Sequence, residues 1–302
     1  MSRRLIAGIE TGGTKILARV CDRDNGDCLG ERRWPTRSAG EAANDIGDFL
    51  SSVAGEGRLA AIGLAAFGPL IVDPASKRCG EMLATPKPGW AGSNLRLALQ
   101  SRFQVPVLVE TDVGAAAIAE QAIGAGRQLA SIAYVTVGTG IGAGLAINGS
   151  SLKGALHPEA GHMRLCRLPG DDVPSVCPFH SDCAEGLVSG PAVQRRIGEG
   201  KNLADDPAAQ DLVATYLGQL ATLLVLAWSP HRIVWGGGVM TGAPLIAPLA
   251  SRLREMLGGY GVGPAVDEPE FCVAAQLEDA GLEGAIIIAR ECPPARSPND
   301  PR

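Results

Sequence analysis

The chain has 302 residues, of which 46% are hydrophobic, and a formal net charge of −5 at pH 7. This length is enough for one large or two ordinary globular domains, each with a substantial core. The acidic charge and the low aromatic content, 4%, are not those of a nucleic-acid-binding surface, and the longest apolar run, 220–228, is shorter than a bilayer span. We therefore expect neither nucleic acid nor a membrane as a partner.

The first predicted element is a β-hairpin in RLIAGIETGGTKILARVCD, residues 4–22, with a Gly-Thr turn between two apolar strands. The strand pattern begins without a hydrophobic signal segment, so we expect a cytoplasmic protein. A second hairpin of the same pattern, SIAYVTVGTGIGAGLAINGS, follows at 131–150. The repeated pattern predicts two lobes of similar topology.

Strands and helices alternate along the rest of the chain, which predicts the α/β class. The predicted elements are a helix at 40–53, a strand at 59–69, a helix at 93–103, a strand at 105–112, a helix at 114–126, a helix at 207–228, a strand at 231–239, a helix at 244–258 and a helix at 281–292. We place an N-terminal lobe at 1–121, onto which the closing helix can pack back, a C-terminal lobe at 122–281 and a disordered tail at 293–302.

Three glycine-rich turns follow predicted strands, in ETGGTK at 10–15, GTGIGAG at 138–144 and GGGVM at 236–240. Successive backbone N–H groups in such turns can bind a phosphate where a Cβ would clash. None is a Walker A loop or a Rossmann fingerprint, and a single glycine-rich turn is often only a turn. Three of them together favour nucleotide binding.

Asp112 ends a predicted buried strand and precedes a helix of small residues. Carboxylates in this position often face a ligand, so Asp112 is a candidate general base. The alternative interpretation is that Asp112 is only the N-cap of that helix.

Three of the eight cysteines lie in the segment 157–186, and two of these three lie in the short sequence CPFHSDC. Cys177, His180 and Cys183 have the spacing of metal ligands, and His162, 15 residues before Cys177, can supply the fourth. Four protein ligands predict a structural zinc ion that braces this loop. A chance cluster or a disulfide-prone loop remains the alternative.

The motifs GIETGGTK, TDVGAAAIAE, VTVGTGIGAG, HPEAGH, CPFHSDCAEG, SGPA and WGGGVM occur in this order. In this combination the chain resembles the ROK sugar kinases over about 6–290, and TPKPGW at 85–90 together with the zinc-ligand spacing resembles their bacterial fructokinase branch. The resemblance implies a two-lobed actin-like ATPase fold of ribonuclease-H-like lobes with the active site in the cleft. It also implies phosphorylation of D-fructose at its 6-hydroxyl by ATP with Mg²⁺.

The family pattern, carried onto this sequence, makes Asp112 the general base. It places Glu159, His162 and Glu185 at the sugar, with His162 also a zinc ligand beside Cys177, His180 and Cys183. Glu10 stands where many members have Asp and would help to hold hydrated Mg²⁺. The remaining implied nucleotide-binding residues are Gly12, Gly13, Thr14, Lys15 and Thr139 at the phosphates, and Pro191, Gly236, Gly237, Gly238, Val239 and Met240 at the adenosine.

One residue departs from the family pattern, because members commonly carry Asn where this chain has Gly114. A missing amide near the acceptor hydroxyl can alter sugar choice, which leaves mannose, glucose, an N-acetylhexosamine or a rarer ketose as alternatives. A non-catalytic sugar sensor is a further alternative. ROK repressors carry a helix-turn-helix before the first hairpin. Since the hairpin starts by residue 5 here, we expect a kinase rather than a repressor. Since family members are often dimers, we expect a homodimer.

Overall fold

The computed structural model describes residues 4–55, 59–261 and 264–293. The predicted disordered tail, 293–302, lies outside the described residues from 294 onward. The chain divides into two compact units. The first comprises residues up to 119, the segment Lys153–His157 and the residues from 279, whereas the second comprises Glu120–Leu152 and Pro158–Glu278.

The first unit contains a five-stranded sheet in the order β3-β2-β1-β4-β5. The first three strands are antiparallel neighbours, and β4 and β5 continue the sheet parallel to β1. Its elements are β1 (Leu5–Thr11), β2 (Lys15–Asp22), β3 (Cys28–Pro35), α1 (Ala39–Ala54), β4 (Leu59–Ala66), α2 (Leu95–Phe103), β5 (Val107–Thr111), the start of α3 (Asp112–Ile123) and α9 (Ala280–Glu291).

The second unit repeats this topology with a sheet in the order β10-β9-β6-β7-β8. Here too the first three strands in chain order, β6, β7 and β8, are antiparallel neighbours, and β9 and β10 continue the sheet parallel to β6. Its elements are β6 (Ser131–Val137), β7 (Ile141–Ile147), β8 (Ser150–Ser151), α4 (Ala184–Val188), α5 (Gly190–Ile197), α6 (Pro207–Trp228), β9 (Ile233–Gly236), α7 (Gly238–Gly242), α8 (Ile246–Leu257) and β10 (Cys272–Ala274).

Each sheet has its own hydrophobic core. In the first unit α1 and α2 pack on one face of the sheet, and α9 packs on the other, where Ile286 and Ala289 meet Ile6. This approach is so close that a Cβ on Gly63 would lie 1.9 Å from the carbonyl oxygen of Ala285. Glycine at this position is therefore required by the packing of α9 on β4.

The longest helix, α6, begins at an N-cap, Asp206, whose side chain accepts the N–H of Ala209, with Pro207 in the first turn. By length and composition alone, its 22 residues could cross a membrane, since the helix extends well beyond the apolar run 220–228. Half of its most apolar window is buried within the protein. The inward residues, such as Leu217, Leu220 and Leu224, are fully buried in the second core.

Candidate active site

The turn between β1 and β2, residues Gly12 to Thr14, is held at its carbonyl oxygens. The N–H of Gly12 donates to the carbonyl of Lys15 at 2.8 Å, which closes the turn. Thr36 donates its hydroxyl to the carbonyl of Gly12 at 2.7 Å and its N–H to that of Thr14 at 3.0 Å. Gly13 and Thr14 themselves are exposed. A turn anchored in this way can present N–H groups to an anion.

Charged side chains surround the base of this turn. Lys15 Nζ lies 2.7 Å from Asp279, and the Arg33 guanidinium lies 3.5 Å from the same carboxylate. The Glu10 carboxylate accepts the N–H of Leu282 at 3.1 Å. Burial raises the pKa of Glu10, and although Lys15 opposes this, the pKa lies above its ordinary value. A bound cation would favour the ionised form of this carboxyl, which fits its predicted role at Mg²⁺.

Asp112 is the first residue of α3 and is half-buried. The hydroxyl of Thr111, not the carboxylate of Asp112, accepts the N–H of Gly114, at 3.0 Å. Asp112 Oδ1 accepts a local hydrogen bond, from the N–H of Val113 at 2.8 Å. The N-cap interpretation of Asp112 is therefore wrong, because Thr111 caps the helix.

A buried carboxylate that is paired with a partly exposed lysine lies two residues before the candidate base in the chain. Glu110 is 2% exposed, and its Oε2 lies 2.6 Å from Lys153 Nζ, while its Oε1 accepts the N–H of Thr111 at 2.9 Å. A Cβ on Gly114 would lie 2.5 Å from the same Oε1. The Glu110 carboxylate therefore occupies the space left by the side chain that Gly114 lacks.

We expect Lys153→Met to destabilise the protein by about 1–3 kcal/mol, because it removes a cation that is paired with the buried Glu110 carboxylate. Urea unfolding of the purified variant measures this loss. Adding Glu110→Gln to Lys153→Met removes the buried charge, so the double variant should recover part of the stability. If the double variant is less stable than Lys153→Met, the ion pair is not the cause of the loss.

In the second unit, the turn between β6 and β7 carries Thr139, which is exposed. The N–H of Gly138 donates to the carbonyl of Gly140 at 2.9 Å, and the carbonyl of Gly138 accepts the N–H of Gly190 at 2.7 Å. The second of these bonds brings the start of α5, with Pro191 in its first turn, against the Thr139 turn.

The third glycine turn lies at the same end of the second sheet. Gly237 has a φ of +90°, and a Cβ there would lie 2.5 Å from the carbonyl oxygen of Val137, the last residue of β6. The predicted strand 231–239 in fact ends at Gly236, and α7 begins inside the turn. The structure thus brings Thr139, Pro191 and the segment 236–240 together. Of that segment, Met240 lies in the hydrophobic core.

The four predicted metal ligands form one cluster in the second unit, with all ligand atoms within 4.8 Å of one another. Cys177 Sγ lies 3.8 Å from His162 Nδ1 and 3.6 Å from His180 Nδ1, and Cys183 Sγ lies 3.7 Å from His162 Nδ1. Sulfur and nitrogen ligands of a tetrahedral zinc ion lie about 3.6 Å apart. The cluster therefore fits such an ion.

Hydrogen bonds around the cluster fix its chain conformation. The hydroxyl of Ser175 donates to the carbonyl of His180 at 2.7 Å and accepts the N–H of Cys177 at 3.1 Å. The N–H of Gly186 donates to Cys183 Sγ at 3.3 Å. The ligands are thus held in place by neighbours in the same loop, as is typical of metal sites.

A buried polar group anchors the loop to the second core. Asp171 accepts hydrogen bonds from the guanidinium of Arg196 on α5 and from the hydroxyl of Tyr216 on α6, both at 2.5 Å. Burial raises the pKa of the Asp171 carboxyl, but the two hydrogen bonds outweigh this effect, so the pKa is lowered. The carboxylate is therefore charged at neutral pH and joins the loop to two helices.

Glu185 connects the metal cluster to the Thr139 turn. Its Oε2 accepts the N–H of Ile141 at 3.0 Å, and its Oε1 lies 3.9 Å from His162 Nε2. His162 thus has one ring nitrogen toward the thiols and the other toward Glu185. Glu159 is exposed and its carbonyl accepts the N–H of His162 at 3.0 Å, which starts the short 3-10 turn Ala160–His162.

Several residues at the site carried no local sequence signal. Asp279 meets Lys15 and Arg33 only through the fold, and Lys153 meets Glu110 in the same way. Lys87 does lie in a conspicuous motif, TPKPGW. In the structure its ammonium donates a hydrogen bond to the carbonyl of Gly13.

Comparison with known proteins places these features in a family. The family model of the ROK family matches residues 6–292. Fructokinase from Pediococcus pentosaceus is 35% identical over 288 residues, which cover 95% of this chain and 98% of the relative. The match therefore spans both units and the metal-ligand loop.

Solved structures agree with this result. The ROK hexokinase from Thermus thermophilus is 30% identical, with a TM-score of 0.76 over 94% of this chain and 97% of that one. A ROK glucokinase from Streptomyces griseus, in complex with glucose and AMPPNP, is 27% identical, with a TM-score of 0.73 over 95% of this chain and 99% of that one. The predicted fold class, α/β with two ribonuclease-H-like units, is confirmed.

Proposed function

The chain belongs to the ROK family, and on this basis we propose that it transfers the terminal phosphoryl group of ATP to the 6-hydroxyl of D-fructose. The observation that carries the proposal is the similarity to a fructokinase over 98% of that relative's length. We further expect the protein to act as a cytoplasmic homodimer, as the family resemblance implies.

Asp112 is the proposed general base. A carboxylate at this position can accept the proton of the sugar hydroxyl as that oxygen bonds to phosphorus. Its backbone is fixed by the Thr111 cap and by the Glu110–Lys153 pair, which orient the start of α3. Accurate positioning matters because phosphoryl transfer depends on alignment and charge stabilisation more than on covalent help from the protein.

The turn from Gly12 to Thr14 is proposed to bind the phosphates of ATP through its N–H groups, with Thr139 on the second glycine turn. Pro191 and the segment 236–240 are proposed to line the adenosine site. Mg²⁺, held with the help of Glu10, would neutralise phosphate charge. The gathering of Thr139, Pro191 and the third turn at one end of the second sheet supports this assignment.

Glu159, Glu185 and His162 are proposed to hold the sugar hydroxyls. We infer that the cluster holds zinc, through His162, Cys177, His180 and Cys183. A closed four-ligand site has no open position for a water, so the ion would supply rigidity to the loop. The contact of His162 with Glu185 supports this role, because a ligand of the ion then orients a sugar-binding carboxylate.

The test is ADP release from Mg-ATP with D-fructose, D-mannose, D-glucose, N-acetylglucosamine and rarer ketoses, each compared with a reaction without sugar. We expect the highest kcat/KM with fructose, and fructose 6-phosphate as the product. Proton and phosphorus NMR of the product identifies the phosphorylated hydroxyl.

A higher kcat/KM with another hexose would replace fructose by that sugar and keep the kinase assignment. Sugar binding by calorimetry without ADP release from any member of the panel would contradict the kinase assignment and favour a sensor.

A further inference from the structure

Lys87 lies on a loop whose conformation is strongly restricted. Pro86 and Pro88 flank it, which limits its backbone on both sides. The loop is anchored by Trp90, which is 1% exposed and donates its indole N–H to the carbonyl of Arg37 at 2.6 Å. The backbone N–H of Trp90 donates to the carbonyl of Lys87 at 3.3 Å. Lys87 is therefore held at a defined place in the first unit.

That place is the tip of the β1–β2 turn, where Lys87 Nζ donates to the carbonyl of Gly13. With this bond, every carbonyl from Gly12 to Lys15 accepts a hydrogen bond from the protein. Within the described ranges, the N–H groups of Gly13 and Thr14 donate to no protein acceptor. The polar groups that the turn still offers to a ligand are thus donors, which suit an anion.

The charges near the turn are unequally compensated. Lys15, the lysine of the glycine motif, is paired with Asp279, and Arg33 shares the same carboxylate. Lys87 is half-buried, and among the residues that the structure describes it forms no ion pair with a carboxylate. Its contact at the turn is a neutral carbonyl. Lys87 therefore provides a positive charge at this turn that is paired with no carboxylate of the described residues.

We propose that Lys87 is a phosphate-binding residue, whose ammonium contacts the polyphosphate chain of the nucleotide on the β1–β2 turn. The proposal rests on the proposed function, because it assigns the nucleoside polyphosphate to that turn. Lys87 has two donor hydrogens besides the one used by Gly13, so it can bind a phosphate oxygen while it holds the turn. The TPKPGW loop would then supply a charge that the Lys15–Asp279 pair does not.

The experiment is calorimetric titration of Mg-ADP, and separately of adenosine, into the full chain without sugar. We expect Lys87→Met to weaken Mg-ADP binding about 10- to 100-fold, the range for loss of a charged hydrogen bond. Adenosine affinity should stay within twofold. Lys87→Arg keeps the charge and should retain most of the affinity, and Lys77→Met, which removes an exposed lysine of the same unit, is the matched control.

The salt dependence of Mg-ADP binding distinguishes loss of a direct charge contact from distortion of the turn. The Mg-ADP affinity ratio of wild type to Lys87→Met should fall as salt is raised, because screening weakens the wild-type contact. Unchanged Mg-ADP affinity in Lys87→Met, or a ratio that does not depend on salt, would refute the phosphate contact. Absence of Mg-ADP binding by the wild type would instead refute the proposed kinase function, and this inference with it.

Discussion

Asp112→Asn is expected to lower kcat with fructose by about 10²- to 10⁴-fold, the contribution of a positioned general base. Asparagine has nearly the same shape, and its side-chain oxygen can still accept the N–H of Val113, so α3 should begin unchanged. Only the ability to take the proton is lost. The KM values for fructose and ATP should change much less than kcat, because the binding groups remain.

Steady-state kinetics and thermal unfolding of the same preparation test this expectation, with Thr111→Val as the matched control. That variant removes the cap of α3 and should cost about 1 kcal/mol of stability, but it keeps the Asp112 carboxylate. Its kcat should therefore stay well above that of Asp112→Asn. If Asp112→Asn keeps more than a tenth of the wild-type kcat, Asp112 is not the base.

Much of the fold could be predicted because its signals are local. The two hairpins combine apolar strands with glycine turns, and each strand pair is joined by three residues. The sequence predicts the long helix at 207–228, and α6 has these bounds, because Asp206 and Pro207 mark its start and apolar residues fill its inner face.

The elements that were missed lack such signals. Strand β3, Cys28–Pro35, is an edge strand with a run of exposed charged residues, Glu31 to Arg33, so it shows no apolar alternation. Strand β10 has only three residues, and α4 and α7 have five each, which is too short for a periodic pattern. Their conformations follow from packing against longer neighbours.

The candidate site, like the fold, could be predicted only where its residues lie close together in the sequence. The metal ligands could be recognised because three of them lie within seven residues, and the fold then places His162 beside them. By contrast, Lys15 and Asp279 are 264 positions apart, and no periodicity connects them. The Glu110–Lys153 pair likewise depends on tertiary structure. Local patterns therefore predict candidate site residues, but not the charged side chains that pair with them.

Substitution of a ligand of the proposed zinc site is the second change with a large expected effect. Cys177→Ser replaces a thiolate by a weak zinc ligand, so the loop 157–186 should lose its brace. We expect less than half a zinc ion per chain by mass spectrometry, compared with one in the wild type. The unfolding midpoint should fall by about 5–10 °C.

The same variant should raise the KM for fructose about tenfold, because loss of a zinc ligand commonly disturbs the neighbouring groups to this extent. The affected group is Glu185, which faces His162 across 3.9 Å. The KM for ATP should change less than the KM for fructose, since the β1–β2 turn, which is proposed to bind the phosphates, belongs to the first unit, and only the Thr139 turn adjoins Glu185.

Cys166→Ser is the matched control for this change, because Cys166 is an exposed cysteine of the same loop that lies outside the cluster. It should leave zinc content, unfolding midpoint and KM unchanged. Normal zinc content and normal fructose KM in Cys177→Ser would show that the cluster does not hold the ion. Loss of zinc without any rise in the fructose KM would show instead that the ion stabilises the loop but does not position Glu185.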